Sequence, residues 1–335
     1  MYRRLPLFTR ARSIGDFLLV AVCGLMLLAA LTDAQTPNPK KSSRTKSAKT
    51  TTSHTAPDST GTADSVRNAR VVPGSRADTV SRRPDAVVTA PADTVKRFVY
   101  RKMGNKAWGV GERMVFDIKY GFVTAGEAVL TIPAADSVGG RRAYRIEVKV
   151  NSLPAFSWVY RVEDRYLTFI DVEALVPLRF EQHIREGSYA RDFVAEFDQE
   201  RNIARTTEGN YPIPPYVHDI MSAFFYVRAL DLGGMNPGDI ITLQNFYKDK
   251  TFDLGVKLLG RQELEVDAGT FNTIVVEPLV KEGGLFKSEG RIVVWLSDDE
   301  IKLPIRINTK IVIGSIDAEL REYSGLLGPV TARVK

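Results

Sequence analysis

The chain has 335 residues, of which 44% are hydrophobic and 26% charged; that composition excludes a wholly disordered chain, a collagen-like fibre and a polytopic membrane protein. The formal charge of +6 is unevenly placed, with four Arg against two Asp in residues 1–34 and twelve Lys/Arg against five Asp in 35–97. Residues 98–335 then hold thirty basic and thirty-three acidic side chains, so the part able to fold is mildly acidic and no nucleic-acid partner is expected.

The first element is a leader. Arg3, Arg4, Arg10 and Arg12 precede the uncharged run Phe17 to Leu31, too short for a span of ~20 residues but suited to the apolar stretch of an export signal. Small residues at Thr32 and Ala34 place cleavage after Ala34, making residues 1–34 a signal peptide. Cys23, the one cysteine, sits in that leader behind Val22 rather than a small residue, which argues against lipidation. Cleavage would leave a chain with no disulfide and no transmembrane span. Exported proteins without disulfides rely on their core.

Residues 35–100 read as a disordered, basic, Ser/Thr/Pro-rich tail, because almost nothing in them is able to offset the entropy of ordering. From 101 to 335 the texture becomes that of a β domain. Runs such as Arg113 to Tyr120, Arg145 to Val150 and Arg291 to Leu296 alternate with turn punctuation at Gly139-Gly140, Gly233-Gly234, Asn236-Pro237-Gly238 and Gly283-Gly284. One segment differs. Asp219 is placed to cap a helix that ends before Gly233-Gly234, and nine of the fourteen residues from Asp219 to Leu232 are apolar. Such a helix should be covered on most sides, against the inner face of a sheet, with Arg228 and Asp231 at its wet edge.

The chain also matches itself at an offset of 127 residues. Twelve identities fall in positions 111–194, seven of them within 18 residues: Asp171, Glu173, Pro177, Arg179, Ile184, Gly187 and Ser188 align with Asp298, Glu300, Pro304, Arg306, Ile311, Gly314 and Ser315. The repeat motif is Asp171, Pro177, Arg179 and Asp298, Pro304, Arg306, in which Asp starts a turn and Pro opens a strand. The expected fold is therefore mainly β: two similar curved antiparallel sheets, half-barrel or barrel-like, from copies at about 108–194 and 238–325. The segment 195–237 connects them and lays one buried apolar helix between.

Chemistry is scarce. His183 and His218 with no Cys cannot form a structural zinc site, and no nucleophile elbow, phosphate loop or dinucleotide fingerprint is present. His218-Asp219 could be half of a base–orienter pair, and Asp298-Asp299-Glu300 a Ca²⁺ loop, but a helix cap and an acidic turn explain them more simply. No catalytic residue, metal or cofactor is expected.

Several short motifs together resemble the family called domain of unknown function 3108. They are Gly111-Glu112, Tyr120 to Ala128, Asp219-x-x-Ser222, Gly269-Thr270-Phe271 and Trp295 to Asp299 with Pro304, over roughly 108–325. Lys302 stands where that family more often has Arg. The resemblance implies an exported bacterial envelope protein and no known activity. The leading functional expectation is a non-enzymatic binding module of the periplasm or outer envelope. Its partner would be a lipid or other apolar ligand, or an extended segment of another protein, met at Phe224, Phe225, Tyr226 and Trp295. The alternative is a structural or assembly factor docking an envelope protein, and a hydrolase comes third. If the tail is dispensable, a chain beginning near Arg101 should melt within a few degrees of the cleaved full chain; a large loss would show that the tail packs.

Overall fold

The computed structural model describes residues 99–335 apart from 248, 281–290 and 311–313. The leader, nearly all of the tail, Gly283-Gly284 and the aligned Ile311 lie outside the described residues. The first strands are β1 (Arg113–Tyr120), β2 (Val123–Val138), β3 (Arg141–Ser152), β4 (Glu163–Asp171), β5 (Pro177–Glu186), β6 (Tyr189–Asp198), β7 (Ile203–Thr206) and β8 (Gly209–Pro212). After these come β9 (Ile240–Tyr247), β10 (Lys250–Val266), β11 (Gly269–Val280), β12 (Ile292–Ser297), β13 (Pro304–Lys310) and β14 (Ser315–Ser324). The described helices are the single turn α1 (Pro154–Ser157) and α2 (Ile220–Ala229).

All strands join one antiparallel sheet, in the order β8-β7-β6-β5-β4-β3-β2-β1-β14-β13-β12-β11-β10-β9. This corrects the expectation of two sheets. Strand β1 pairs along its whole length with β14, from Arg113 opposite Ser324 to Tyr120 opposite Ile316. A six-strand meander that stopped at β1 would leave its backbone groups unpaired, and the last strand of the other meander supplies them. The sheet is not closed. Its edges, β8 and β9, meet through side chains: the Phe246 ring lies 5.9 Å from Phe197 and 6.0 Å from Tyr211. His218 alone bridges to β9, donating from its N–H to the Gln244 carbonyl and accepting from the Phe246 N–H.

The alternation seen in the sequence becomes two faces. On β5, Phe180, Gln182 and Ile184 are buried while Arg179, Glu181, His183 and Arg185 face the more exposed side, as a half-buried antiparallel strand requires. Adding 127 to the first residues of β1 to β6 lands within two residues of the starts of β9 to β14. The turns before β5 and β13 also match: Leu175 and Lys302, 127 apart, both have positive φ, 53° and 44°. Pro177 and Pro304 each open a strand.

Helix α2 lies on the apolar face. Ile220, Met221 and Phe225 join the core of the first meander, and Ala223 and Val227 join a second cluster with Leu243, Leu254, Val256 and Leu258. Arg228 contradicts its expected place at a wet edge. It is fully buried, and Nη1 and Nη2 donate to Glu112 Oε1 and Oε2 at 2.7 and 3.1 Å. Its Nε and Nη2 also donate to the carbonyls of Lys302 and Ile301. A guanidinium so fully engaged is tolerated inside where a bare charge is not; Asp231 does face solvent.

Removing one partner strands a buried charge. Arg228→Met alone, or Glu112→Leu alone, should cost about 3–5 kcal/mol in urea unfolding, and the double replacement should regain most of it. Single losses under about 1 kcal/mol would mean that water reaches the pair.

Candidate functional site

The helix begins on a buried cap. The Asp219 carboxylate accepts from the Met221 and Ser222 N–H groups at 2.8 and 2.9 Å and from the Thr168 hydroxyl at 2.8 Å. Burial nonetheless pushes its pKa up to about 6, against the pull of these donors. His218 is also buried, its ring 4.7 Å from that of Tyr226, and its Nδ1 has no hydrogen-bond partner. Desolvation, then the nearby Arg101 charge, lowers its pKa to about 3. The two neighbours therefore do not make a base and its orienter: Asp219 serves the helix, and His218 Nε2 faces Arg101 at 3.5 Å.

Arg101 latches the start of the described chain onto this region. Its guanidinium lies over the rings of Tyr216 and Tyr226, at 4.7 and 4.6 Å, and its Nε donates to the Ala174 carbonyl. Tyr216 donates from its hydroxyl to the Val99 carbonyl, and Arg141 stacks 3.6 Å from the Tyr100 ring. Packing thus starts at Val99, two residues before the boundary placed at 101.

The residues expected to bind a ligand do not converge. Phe225 is wholly buried, edge-on to Trp108 at 5.0 Å, and its carbonyl accepts from the Trp108 indole N–H at 2.8 Å. Phe224 is half-buried and meets Phe225 at 5.7 Å. Tyr226 belongs to the Arg101 latch, while Trp295 on β12 packs 5.6 Å from the Arg306 guanidinium of β13. At the seam between β6 and β9, a crevice lined by Phe180, Phe193, Phe197, Ile220, Phe246 and Tyr247 holds only about 10 Å³, room for one water at most. A larger cavity of about 530 Å³ is lined by Tyr100, Arg141, Glu196, Asp198, Arg201 and Arg205 among others. Its cations are already paired, Arg141 with Asp171 and both Arg201 and Arg205 with Asp198.

The repeat motif is structural. Asp171 accepts from the N–H groups of Glu173 and Ala174 and pairs with Arg141. In the second turn the equivalent work falls to Asp299, which accepts from the Ile301 and Lys302 N–H groups and the Ser297 hydroxyl. Asp298 instead pairs with Arg261. The expected match of Asp171 with Asp298 therefore misses the working carboxylate by one residue. Register explains the slip. Arg179 lies opposite Phe169 and Arg306 opposite Trp295, pairs 126 rather than 127 apart on the first strand, so the second turn holds one extra residue. Arg179 and Arg306 pair with strand carboxylates, Glu181 and Glu196 or Asp317 and Glu319, rather than with turn carboxylates.

His183 contacts Asp192 at 2.8 Å and Glu181 at 3.4 Å, but on the open charged face, where Arg185 holds the same Asp192. Among the described residues no group of three His, Cys, Asp or Glu is placed to hold a metal ion, and no helix is long and apolar enough to cross a membrane.

One feature escaped the sequence reading. Meander topology puts the β1–β2, β3–β4 and β5–β6 connections at one end of the sheet. There Phe122 is 99%, Trp158 83% and Val159 56% exposed. The signal was present as two uncharged runs, Tyr120 to Gly126 and Val150 to Tyr160.

The buried histidine gives a pH signature. The unfolded chain takes up a proton near pH 6.5 that folded His218 refuses until about 3, so the stability tied to it is whole above pH 6.5 and drains as pH falls. Asp219, raised from 3.8 to about 6, works oppositely, returning stability between pH 6 and 3.8, but it is common to wild type and variant. His218→Phe should therefore gain on wild type in urea midpoint as pH drops from 6.5 to 4; a constant difference would place His218 in water.

Comparison with known proteins follows from this fold. No curated protein matches the chain. Among solved structures, it is similar to a beta-barrel-like protein of domain of unknown function DUF1849 from Brucella abortus: 9% identity, 65% of this chain and 98% of that one, TM-score 0.45. It is also similar to the hypothetical protein CT021 from Chlamydia trachomatis, at 10% identity over 68% of this chain and 92% of that one, TM-score 0.31. A third is a candidate exported protein with a YmcC-like fold from Bacteroides fragilis, at 14% identity over 68% and 100%, TM-score 0.26. A family of proteins of unknown function, DUF3108, matches residues 115–321, and the chain belongs to that family.

Proposed function

We propose that this protein is an exported, non-enzymatic binding module of the cell envelope that works through its surface rather than through an interior ligand chamber. The observation that carries this reading is the sealed face of α2. Trp108 and Phe225 fill the space beside it, and the Arg228–Glu112 pair fixes its last turn. A carrier of acyl chains needs several hundred Å³ of mostly apolar cavity, and the apolar crevice at the seam has about 10 Å³. That favours the docking alternative over the carrier expected first, and the scattered placement of Phe224, Phe225, Tyr226 and Trp295 agrees. The hydrolase reading has no support in the isolated settings of His183 and His218. Export rests on the leader, with cleavage after Ala34, and places the domain in the periplasm or at the outer envelope. The 127-residue self-match, the strand starts that follow it and the paired positive-φ residues support descent of the two meanders from one duplicated unit.

The test is chemical denaturation of the full chain with and without a long-chain fatty acid. The midpoint should not move, and Phe225→Ala should cost about 3–5 kcal/mol, as for a solidly filled core. A saturable rise in midpoint with fatty acid would restore the carrier reading through linkage.

A further inference from the structure

We propose that the end of the sheet bearing the β1–β2 and β3–β4 connections docks onto a lipid bilayer, with Phe122 and Trp158 entering its interfacial layer. This rests on the surface-binding reading above and names the surface's partner.

The two connections stand side by side. Strands β2 and β3 pair at that end, Gly126 opposite Ser152, and the Leu153 N–H donates to the Ala125 carbonyl at 2.9 Å. Together they present seven and eleven consecutive uncharged residues, on a domain otherwise dense with ion pairs. Of the four charges that bound these runs, Lys119, Glu127, Lys149 and Arg161, three are cations, the sign that suits phosphate headgroups. The exposed Trp is not carried by a slack loop. Ser157 N–H and hydroxyl both donate to the Leu153 carbonyl, Tyr160 N–H to that of Phe156, and Val162 N–H to the Ser152 hydroxyl. An ordered loop thus holds an indole in water, where a small rearrangement could have tucked it in. Single exposed apolar residues are common, but an aromatic at each of two adjacent tips marks a contact surface.

A protein partner would ordinarily want some 800 Å² of complementary surface on each side. Two protrusions on separate turns instead suit a fluid surface that closes around each. Phe and Trp are side chains that gain there, and Trp keeps its N–H near water.

The experiment uses the full chain and vesicles of phosphatidylcholine, alone or doped with phosphatidylglycerol, read by co-sedimentation and by Trp emission. Wild type should bind both vesicle types, with a blue shift from Trp158. The variant Phe122→Ser/Trp158→Ser should bind neutral vesicles at least about tenfold more weakly, with an unchanged melting curve, because neither side chain packs in the core. Single variants should fall between. Wild type that ignores neutral vesicles overturns the proposal, and so does a double variant that binds as well as wild type. Binding that needs phosphatidylglycerol and survives the double variant overturns it too, by assigning attachment to the basic residues 35–97. The two readings fail separately: no vesicle binding with no fatty-acid stabilisation leaves surface binding standing and removes only the lipid, whereas fatty-acid stabilisation removes both.

Discussion

The ion pair between Arg228 and Glu112 is the constraint around which this domain is arranged. It joins three segments far apart in the chain: the last turn of α2, the residue before β1, and through two carbonyls the turn that leads into β13. Inserting a charge pair into an apolar interior costs several kcal/mol per ion unless nearly every donor is satisfied. Here four guanidinium hydrogen bonds meet that condition. The arrangement contributes geometry more than net stability. The helix has only one depth and one rotation at which Arg228 reaches both carboxylate oxygens, and that rotation sends Phe225 against Trp108. Helix, sheet and amino-terminal segment are fixed together, so α2 is poorly suited to act as a lid that opens for cargo.

A second constraint comes from the backbone. An antiparallel meander of six strands has two edges, and joining two meanders edge to edge through β1 and β14 removes two of the four. The remaining edges are managed differently. Strands β7 and β8 are four residues each, too short to template another chain, and β9 is met by the Phe246 contacts and the bridge at His218. The placement of His218 has its own cost, a buried ring nitrogen without a partner. The backbone bonds it makes to β9 and the stacking with Tyr226 offset that cost only while the ring stays neutral.

How much of this could be read in the sequence depended on how local each determinant is. Strand alternation, the Asp219 cap and Pro177 and Pro304 as strand openers depend on neighbours a few residues away, and they were legible. The joining of the halves was not, because nothing within β1 or β14 names its partner across 200 residues. Arg228 read as a wet-edge charge for the same reason: its acid lies 116 residues earlier. The motif match misassigned Asp298 through a one-residue insertion, which an ungapped comparison cannot register, although Asp299 stood beside it. The exposed tips were missed because the search for function followed charged and nucleophilic residues. A run without charge carries its information as an absence.

The meander itself explains how one end of the domain became rigid and the other exposed. Connections alternate between ends, so β1–β2, β3–β4 and β5–β6 crowd one end while β2–β3, β4–β5 and β6–β7 crowd the other. The second set meets the amino-terminal segment: Met103 donates to the Glu173 carbonyl, Arg101 to that of Ala174, and Arg141 stacks on Tyr100. Changes there disturb the helix, the latch and the buried pair together. At the opposite end Phe122 and Trp158 touch little, so their identity is almost free of folding constraints. Residues under no structural demand drift toward polar types unless something else holds them apolar, since exposed aromatics promote self-association. That two such residues sit on neighbouring tips, on well-ordered backbone and with no charge among them, is therefore better explained by contact with an apolar surface than by folding.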